Sequence, residues 1–127
     1  MNTPQEKDNQ ALVAIVDDDQ SFREALDSLL RLIGFRTAIF ASARDFLDSP
    51  QFPTVTCAIL DISMPGMDGL ELQRHLVATQ SIPIIFITDL RDAKTREQAV
   101  RAGAISFLNK PVSEETLIDV LNSALRA

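Results

Sequence analysis

The sequence predicts a doubly wound α/β domain with a five-stranded parallel sheet. Short apolar runs alternate five times with helical patterns, and several of these runs are apolar at consecutive positions. Such runs are typical of strands buried on both faces, as in a parallel sheet that helices cover on either side. Because crossovers between parallel strands are right-handed, five βα units of this kind form one open sheet.

The five predicted strands are the apolar runs. They span residues 11–16, 35–40, 57–60, 83–88 and 104–108. Cys57 is the one cysteine of the chain and lies within the third run. We expect it to pack as a small apolar side chain without a chemical role.

The first helical pattern is among the clearest. Its apolar stripe has the spacing of one helix face and consists of Phe22, Ala25, Leu26, Leu29, Leu30 and Ile33. Ser21 and Glu24 are predicted to form a capping box at its start. Gly34 is placed to end the helix.

The remaining helices are predicted at residues 42–49, from an Asp68 cap to about Thr79, at 93–102, and from a Ser113 cap onwards. The last has an apolar stripe consisting of Leu117, Val120, Leu121, Ala124 and Leu125. Helix four has few apolar residues, so we expect it to be weakly docked unless tertiary contacts override this. His75, in helix three, is expected on a solvated face.

Composition bounds the class of protein. The 127 residues, 46% of them hydrophobic, suffice for one domain over residues 11–127, preceded by a flexible polar tail at 1–10. The tail resembles neither a signal peptide nor a membrane anchor, so we expect a soluble cytoplasmic protein with no membrane contact. Eighteen acidic and 12 basic residues give a net charge of −6 without a basic cluster, which argues against direct nucleic-acid binding.

Polar residues follow four of the five predicted strands. They are Asp17, Asp18 and Asp19 after strand one, Asp61 after strand three, Thr88 at the end of strand four, and Lys110 and Pro111 after strand five. Each alone is a weak signal, since turns and caps use the same residues. Carboxyl ends of parallel strands share one edge of the sheet, so together they predict a convergent site.

The chemistry of this set favours phosphoryl transfer. Three clustered carboxylates, from Asp17, Asp18 and Asp61, repel one another, and a hard divalent cation such as Mg²⁺ relieves the repulsion. Asp61 then becomes a nucleophile directed at phosphorus. The metal, Lys110 and the Thr88 hydroxyl would neutralise charge on the transferred group.

Segments that carry these residues resemble the receiver domains of two-component response regulators. The resemblance covers about residues 11–126 and rests on Val16-Asp17-Asp18-Asp19, Leu60-Asp61-Ile62-Ser63-Met64-Pro65-Gly66-Met67-Asp68-Gly69, Ile85-Phe86-Ile87-Thr88, and Gly103-Ala104 with Leu108-Asn109-Lys110-Pro111. It implies a flavodoxin-like strand order, 2-1-3-4-5. It also implies that Asp61 is the phosphoacceptor, that Asp17 and Asp18 are the acid pair, and that the backbone carbonyl of Ser63 is a further Mg²⁺ ligand.

The resemblance further implies a switch. Thr88 and Lys110 would hold the phosphoryl oxygens, Phe107 would move inward with Thr88, and the Lys110-Pro111 peptide bond would be cis. The face of helix four, strand five and helix five would change its population of conformers and regulate an output domain or partner. The donor would be a sensor histidine kinase or phosphotransfer protein, and the domain would catalyse only its own phosphorylation and dephosphorylation. Dimerisation through helices four and five is left open.

The chain departs from the family pattern at Asp89, where a small residue is usual. Asp89 is expected either to gate access to Asp61 or to point outward and cap helix four. In receivers the positions of Ser63 and Leu90 flank the hydrolytic water. Neither side chain here is suited to activate that water, so we expect slow dephosphorylation.

Three alternatives compete with this interpretation. The segment from Asp17 to Ser21 also fits aspartate-nucleophile phosphatases of the haloacid-dehalogenase type, but such enzymes need a lid and a late acidic pair. A flavodoxin-type flavin carrier would need a phosphate-cradling loop after strand one, where three aspartates stand. A receiver-like module that acts without phosphorylation stays open because of Asp89.

Overall fold

Residues 11–126 are described by the structure, a computed structural model, and they alternate five strands with five α-helices. The predicted tail at residues 1–10 lies outside the described residues. The strands are β1 (Leu12–Val16), β2 (Arg36–Phe40), β3 (Cys57–Leu60), β4 (Ile84–Thr88) and β5 (Ser106–Asn109). The helices are α1 (Gln20–Leu32), α2 (Ala43–Leu47), α3 (Gly69–Thr79), α4 (Ala93–Arg101) and α5 (Glu114–Arg126), with a short 3₁₀ turn at Phe52–Thr54.

The strands form one parallel sheet in the order β2-β1-β3-β4-β5, which confirms the predicted fold. The predicted strand bounds were accurate to within one residue, except that β5 begins at Ser106, two residues later than expected. The chain leaves β1 for β2 on one side and returns to β3 on the other. The carboxyl ends of β1 and β3 therefore flank the switch point of the sheet, where ligands bind in open α/β folds.

Successive residues of the central strands enter two separate apolar cores. One core holds Ala14, Val16, Leu60 and Phe86 with residues of α2, α3 and α4, and the other holds Val13, Ile15, Ile59 and Ile87 with residues of α1 and α5. All residues of β1, β3 and β4 are buried. Helices thus cover both faces of the sheet, which explains why these strands are apolar at consecutive positions.

The start of α1 differs from the prediction. Asp19, in an extended conformation, caps the helix and its side chain accepts a hydrogen bond from the amide of Phe22 at 3.3 Å. Helix α1 begins at Gln20, so Ser21 already lies inside the first turn and cannot serve as the cap. The predicted Ser21–Glu24 capping box is therefore wrong.

The other helix ends agree with the predictions to within one residue, except that α2 ends at Leu47, two residues earlier than expected. Gly34 has a φ of +106°, in the left-handed region that favours glycine after a helix. The side chains of Ser42 and Ser113 accept backbone hydrogen bonds at the starts of α2 and α5. Asp68 caps α3 and forms a reciprocal capping box with Glu71.

Cys57 and His75, for which we expected no chemical role, are buried and exposed respectively, as the sequence predicted. Cys57 is fully buried, and burial raises the pKa of its thiol to about 12, so it stays protonated at neutral pH. His75 is exposed on α3. Across residues 11–126, the structure contains no helix with the length and apolar character needed to cross a bilayer.

Candidate functional site

Three carboxylates converge at the carboxyl edge of the sheet. Asp17 and Asp18 follow β1, Asp61 follows β3, and the pairing of Val16 with Leu60 brings the two strand ends level. One carboxylate oxygen from each aspartate lies within 4.8 Å of the others. Asp17 and Asp61 are buried, whereas Asp18 is exposed. The cluster therefore has a buried floor and one side open to solvent.

Lys110 projects from the segment after β5 into this cluster. Its Nζ lies 2.9 Å from Asp17 Oδ2 and 3.4 Å from Asp61 Oδ2, and 4.1 Å from the centre of the Phe22 ring. Burial alone would lower the pKa of Lys110, but the two carboxylates outweigh burial and raise it above its ordinary value. Lys110 is therefore a fixed positive charge. The Lys110-Pro111 peptide bond is cis, as the resemblance implied.

The charged form of Asp17 carries an electrostatic cost because the side chain is buried. Burial raises its pKa, and hydrogen bonding to the Asp19 amide and the charge of Lys110 offset this only in part. Oδ1 accepts the Asp19 amide at 2.8 Å. Although Oδ2 forms the ion pair with Lys110, it is buried and has no partner in hydrogen-bond geometry among the described residues.

These observations fit a divalent cation at the cluster. An incompletely satisfied buried oxygen of Asp17 lies beside two further carboxylates, and oxygen donors of this kind suit Mg²⁺. Ser63, whose backbone carbonyl is the fourth expected ligand, lies two residues after Asp61 and is exposed.

Thr88 ends β4 and is almost fully buried. Its hydroxyl oxygen accepts the amide of Leu90 at 3.2 Å, and its backbone carbonyl accepts the amide of Lys110 at 2.9 Å. Thr88 and Lys110 are thus held together by the pairing of β4 with β5. Phe107, in β5, is buried, and its ring centre lies 5.9 Å from that of Phe86.

Asp89 follows Thr88 and is exposed. The side chain that caps α4 belongs to Asp92, which accepts hydrogen bonds from the Lys94 amide and the Thr95 hydroxyl. The alternative in which Asp89 caps α4 is therefore wrong, because α4 begins three residues further on than that role requires. The gating role of Asp89 stays a prediction.

Three residues at this edge of the sheet were not predicted to belong to the site. Arg23 Nη1 donates to the backbone carbonyl of Asp17 at 2.7 Å, and Phe22 lies against Lys110. A Cβ atom on Gly69 would lie 2.2 Å from the backbone oxygen of Asp61, so the first residue of α3 packs directly against the backbone of Asp61. A glycine at the first position of a helix was the available signal for this last contact.

Comparisons with known proteins identify the class. The sequence model of the response regulator receiver domain matches residues 13–122. The chain is 43% identical over 120 residues to the response regulator protein TmoT of Ectopseudomonas mendocina, an alignment that covers 94% of this chain and 54% of TmoT. The chain thus spans about half the length of the curated relatives it matches.

Solved structures of response regulators superpose on this chain. The response regulator StyR superposes with a TM-score of 0.83 at 44% identity, over 92% of this chain and 60% of that one. FixJ-N superposes with a TM-score of 0.82 at 34% identity, over 91% of this chain and 94% of that one. The chain belongs to the response regulator receiver domain family. It is a receiver domain of two-component signalling, a class that implies a phosphoacceptor role.

Proposed function

We propose that this receiver accepts a phosphoryl group on Asp61, from a sensor histidine kinase or a phosphotransfer protein, and changes its α4/β5/α5 face in response. The observation that carries the proposal is the position of Asp61. Its buried carboxylate lies at the end of β3, between the acid pair and Lys110, and Oδ2 is 3.4 Å from the lysine Nζ. A nucleophile and the cation that neutralises its product are thus already adjacent.

The acid cluster is the proposed site of Mg²⁺. The carboxylates of Asp17, Asp18 and Asp61 and the backbone carbonyl of Ser63 would hold the ion, which would supply positive charge to neutralise the phosphoryl oxygens. Arg23 holds the carbonyl of Asp17 and so fixes the turn that carries the acid pair.

Asp61, Lys110 and Thr88 have separate roles in the proposed phosphoryl transfer. An oxygen of Asp61 forms a bond to phosphorus while the bond from phosphorus to the donor breaks, and the donor leaves with that electron pair. Lys110 meets the new charge on the phosphoryl oxygens. The hydroxyl oxygen of Thr88 already accepts the Leu90 amide, so its own hydrogen is free to donate to a phosphoryl oxygen. Movement of Thr88 toward that oxygen would make room for Phe107 to move inward.

The output is proposed to lie on the α4/β5/α5 face. Phosphorylation adds about two negative charges, which shift the domain toward the conformers that Thr88 and Lys110 stabilise. Val100 and Ile105 are partly exposed near α4 and β5 and offer apolar contacts to an output domain, a protein partner or a second copy. The proposed location of this exchange is the cytoplasm. Neither membrane nor nucleic-acid contact is proposed for this domain.

Phosphorylation by acetyl phosphate, followed by intact mass with and without Mg²⁺, tests the proposal. We expect one phosphoryl group on the parent in the presence of Mg²⁺ and none on Asp61→Asn. Asp119→Asn makes the same change at an exposed position of α5 and should label as the parent does. Full labelling of Asp61→Asn would exclude Asp61 as the acceptor. An unlabelled parent would favour a receiver-like module that acts without phosphorylation.

A further inference from the structure

Gln73 is a buried polar residue of α3 that the proposed function does not use. Only 1% of its surface is exposed, and its Nε2 donates a hydrogen bond of 2.9 Å to the backbone carbonyl of Ala99 in α4. Ala99 is the buried residue of α4, all of which the structure describes. The bond therefore lies at the point where α4 rests on the rest of the domain.

Beside this bond, the surface between α3 and α4 is not closely packed. A groove of about 380 Å³ separates the two helices beside this bond, and it is lined by Leu70, Gln73, Arg74, Gln98, Arg101 and Ala102. The Ala99 carbonyl also accepts the amide of Ala104 at 3.0 Å, in the turn that ends α4 and leads to β5. Gln73 thus holds the C-terminal part of α4, which belongs to the proposed output face, near the turn that leads to β5.

The first residue of α3 touches Asp61, the proposed phosphoacceptor. The amide of Gly69 donates to the carbonyl of Ile62 at 2.8 Å, and Gly69 packs against the backbone of Asp61 so closely that a Cβ would overlap it. Gln73 lies four residues further along the same helix. Helix α3 therefore makes a continuous backbone and side-chain connection from Asp61 to the end of α4.

We propose that Gln73 is a positioning residue that couples α4 to the Asp61 site through α3, by holding α4 in its unphosphorylated arrangement. The proposal rests on the proposed phosphorylation of Asp61. A buried amide that loses its acceptor carries a desolvation cost, so this bond resists displacement of α4. Phosphorylation that displaces α4 must break it, and removal of the donor therefore shifts the population toward the switched arrangement.

The test compares Gln73→Met with Gln98→Met. Methionine has a similar length and no donor, and Gln98 lines the same groove from α4 on an exposed position, so the control leaves the Gln73–Ala99 bond intact. In Gln73→Met we expect hydrogen exchange at the amides of Ala102, Gly103 and Ala104 to rise about tenfold, with the β1 and β3 amides unchanged. Phosphorylation by acetyl phosphate should become about threefold faster, because the switched arrangement is more populated. Gln98→Met should match the parent in both.

A merely structural role for Gln73 gives a different result. Equal phosphorylation rates for Gln73→Met and the parent, with the parent labelled normally, would overturn the coupling while leaving the proposed function intact. An unlabelled parent would instead contradict the proposed function and this inference together. If Gln73→Met does not fold, a measurement on the parent protein still tests the proposal. Exchange of the Gln73 side-chain amide protons, followed by NMR, should accelerate on phosphorylation, and unchanged exchange would refute the proposal.

Discussion

Lys110 forms its shorter ion pair with Asp17, its Nζ lying 2.9 Å from Asp17 Oδ2 and 3.4 Å from Asp61 Oδ2. The lysine therefore occupies part of the acid cluster in the conformation described here and neutralises one of its charges. A cation bound by Asp17 must compete with this ammonium group for the same oxygen. If Lys110 holds the phosphoryl group as proposed, its contact with Asp17 should also weaken Mg²⁺ binding before that group arrives.

Lys110→Met is expected to tighten Mg²⁺ binding by about fivefold, since it removes a positive charge a few ångström from the site. The same change should slow phosphorylation by acetyl phosphate at saturating Mg²⁺, because the phosphoryl oxygens lose their cation. Calorimetric titration is suitable, as the chain has no tryptophan or tyrosine to report binding by fluorescence. Lys94→Met, on exposed α4, is the control. Weaker Mg²⁺ binding by Lys110→Met alone would contradict this account of competition.

Asp17→Asn should make the metal-free domain more stable. Burial raises the folded-state pKa of Asp17 above the unfolded value of 3.8, so its ionised form opposes folding at neutral pH. This penalty is fully present above the folded-state pKa and disappears as the pH falls through it toward 3.8. We expect a gain of about 1 kcal/mol in the free energy of unfolding at pH 7 without Mg²⁺, lost in acid, and Mg²⁺ binding at least about tenfold weaker.

Urea denaturation of the parent, Asp17→Asn and the exposed control Asp119→Asn at two pH values measures this difference. Asparagine keeps an oxygen for the Asp19 amide, so the turn is preserved. A variant that is less stable than the parent at neutral pH would show that the ion pair with Lys110 outweighs the burial of Asp17.

Gly69→Ala should damage both stability and phosphorylation. The added Cβ would lie 2.2 Å from the backbone oxygen of Asp61, so the backbone of Asp61 must shift. We expect a loss of about 3 kcal/mol in stability, typical of overpacking in a rigid core, and a phosphorylation rate at least about tenfold lower. Gly103→Ala is the control, because that glycine has a φ of +105° but open space around its Cβ position. It should lower stability by about 1 kcal/mol and leave the phosphorylation rate unchanged.

The sequence predicted those features that depend on local pattern. The apolar runs predicted the strands. Because the carboxyl ends of parallel strands lie at one edge of the sheet, the sequence alone also predicted that Asp17, Asp18, Asp61 and Lys110 would lie close together. The cap of α1 was misassigned because Asp19 and Ser21 are both good capping residues, and only the backbone conformation decides between them.

Contacts between different elements of the fold could not be predicted in the same way. From the sequence, Gln73 is indistinguishable from the other polar residues of an amphipathic helix. Its burial depends on how α4 lies beside α3. Phe22 belongs to an apolar stripe, and nothing in the local sequence indicates that its ring lies against Lys110, 88 residues further along the chain. Such contacts are set by the packing of elements and not by propensity.

The acyl phosphate on Asp61 should be long-lived. Leu90 packs against the apolar core, its amide donates to Thr88 and its carbonyl accepts from Asn109 at 2.9 Å, so it offers nothing to orient a water. Ser63 is a poor base. We expect the phosphorylated form to persist for minutes or longer at neutral pH, and Leu90→Glu to shorten its lifetime by about fivefold or more. Intact mass over time measures both, with Leu90→Met as the apolar control. Decay of the parent within seconds, without a phosphatase, would refute this reasoning.

Asp89 is the residue of the site that fits the family pattern least, and its exposed carboxylate stands next to Thr88. Its charge opposes the approach of an anionic donor by an amount on the order of 1 kcal/mol after screening, and its size narrows access to Asp61. Asp89→Ala should therefore speed phosphorylation by acetyl phosphate about fivefold, with the charge-dependent part of the gain shrinking in high salt.

Asp92→Ala separates this gate from helix capping, because Asp92 is the cap of α4. Loss of the cap should lower the stability by about 1 kcal/mol and reduce the Tm, whereas Asp89→Ala should leave the Tm unchanged. Both rates are followed by intact mass, and both melting curves by circular dichroism. If Asp89→Ala is phosphorylated no faster than the parent at low salt, Asp89 does not gate the site, since neither its charge nor its bulk then limits access to Asp61.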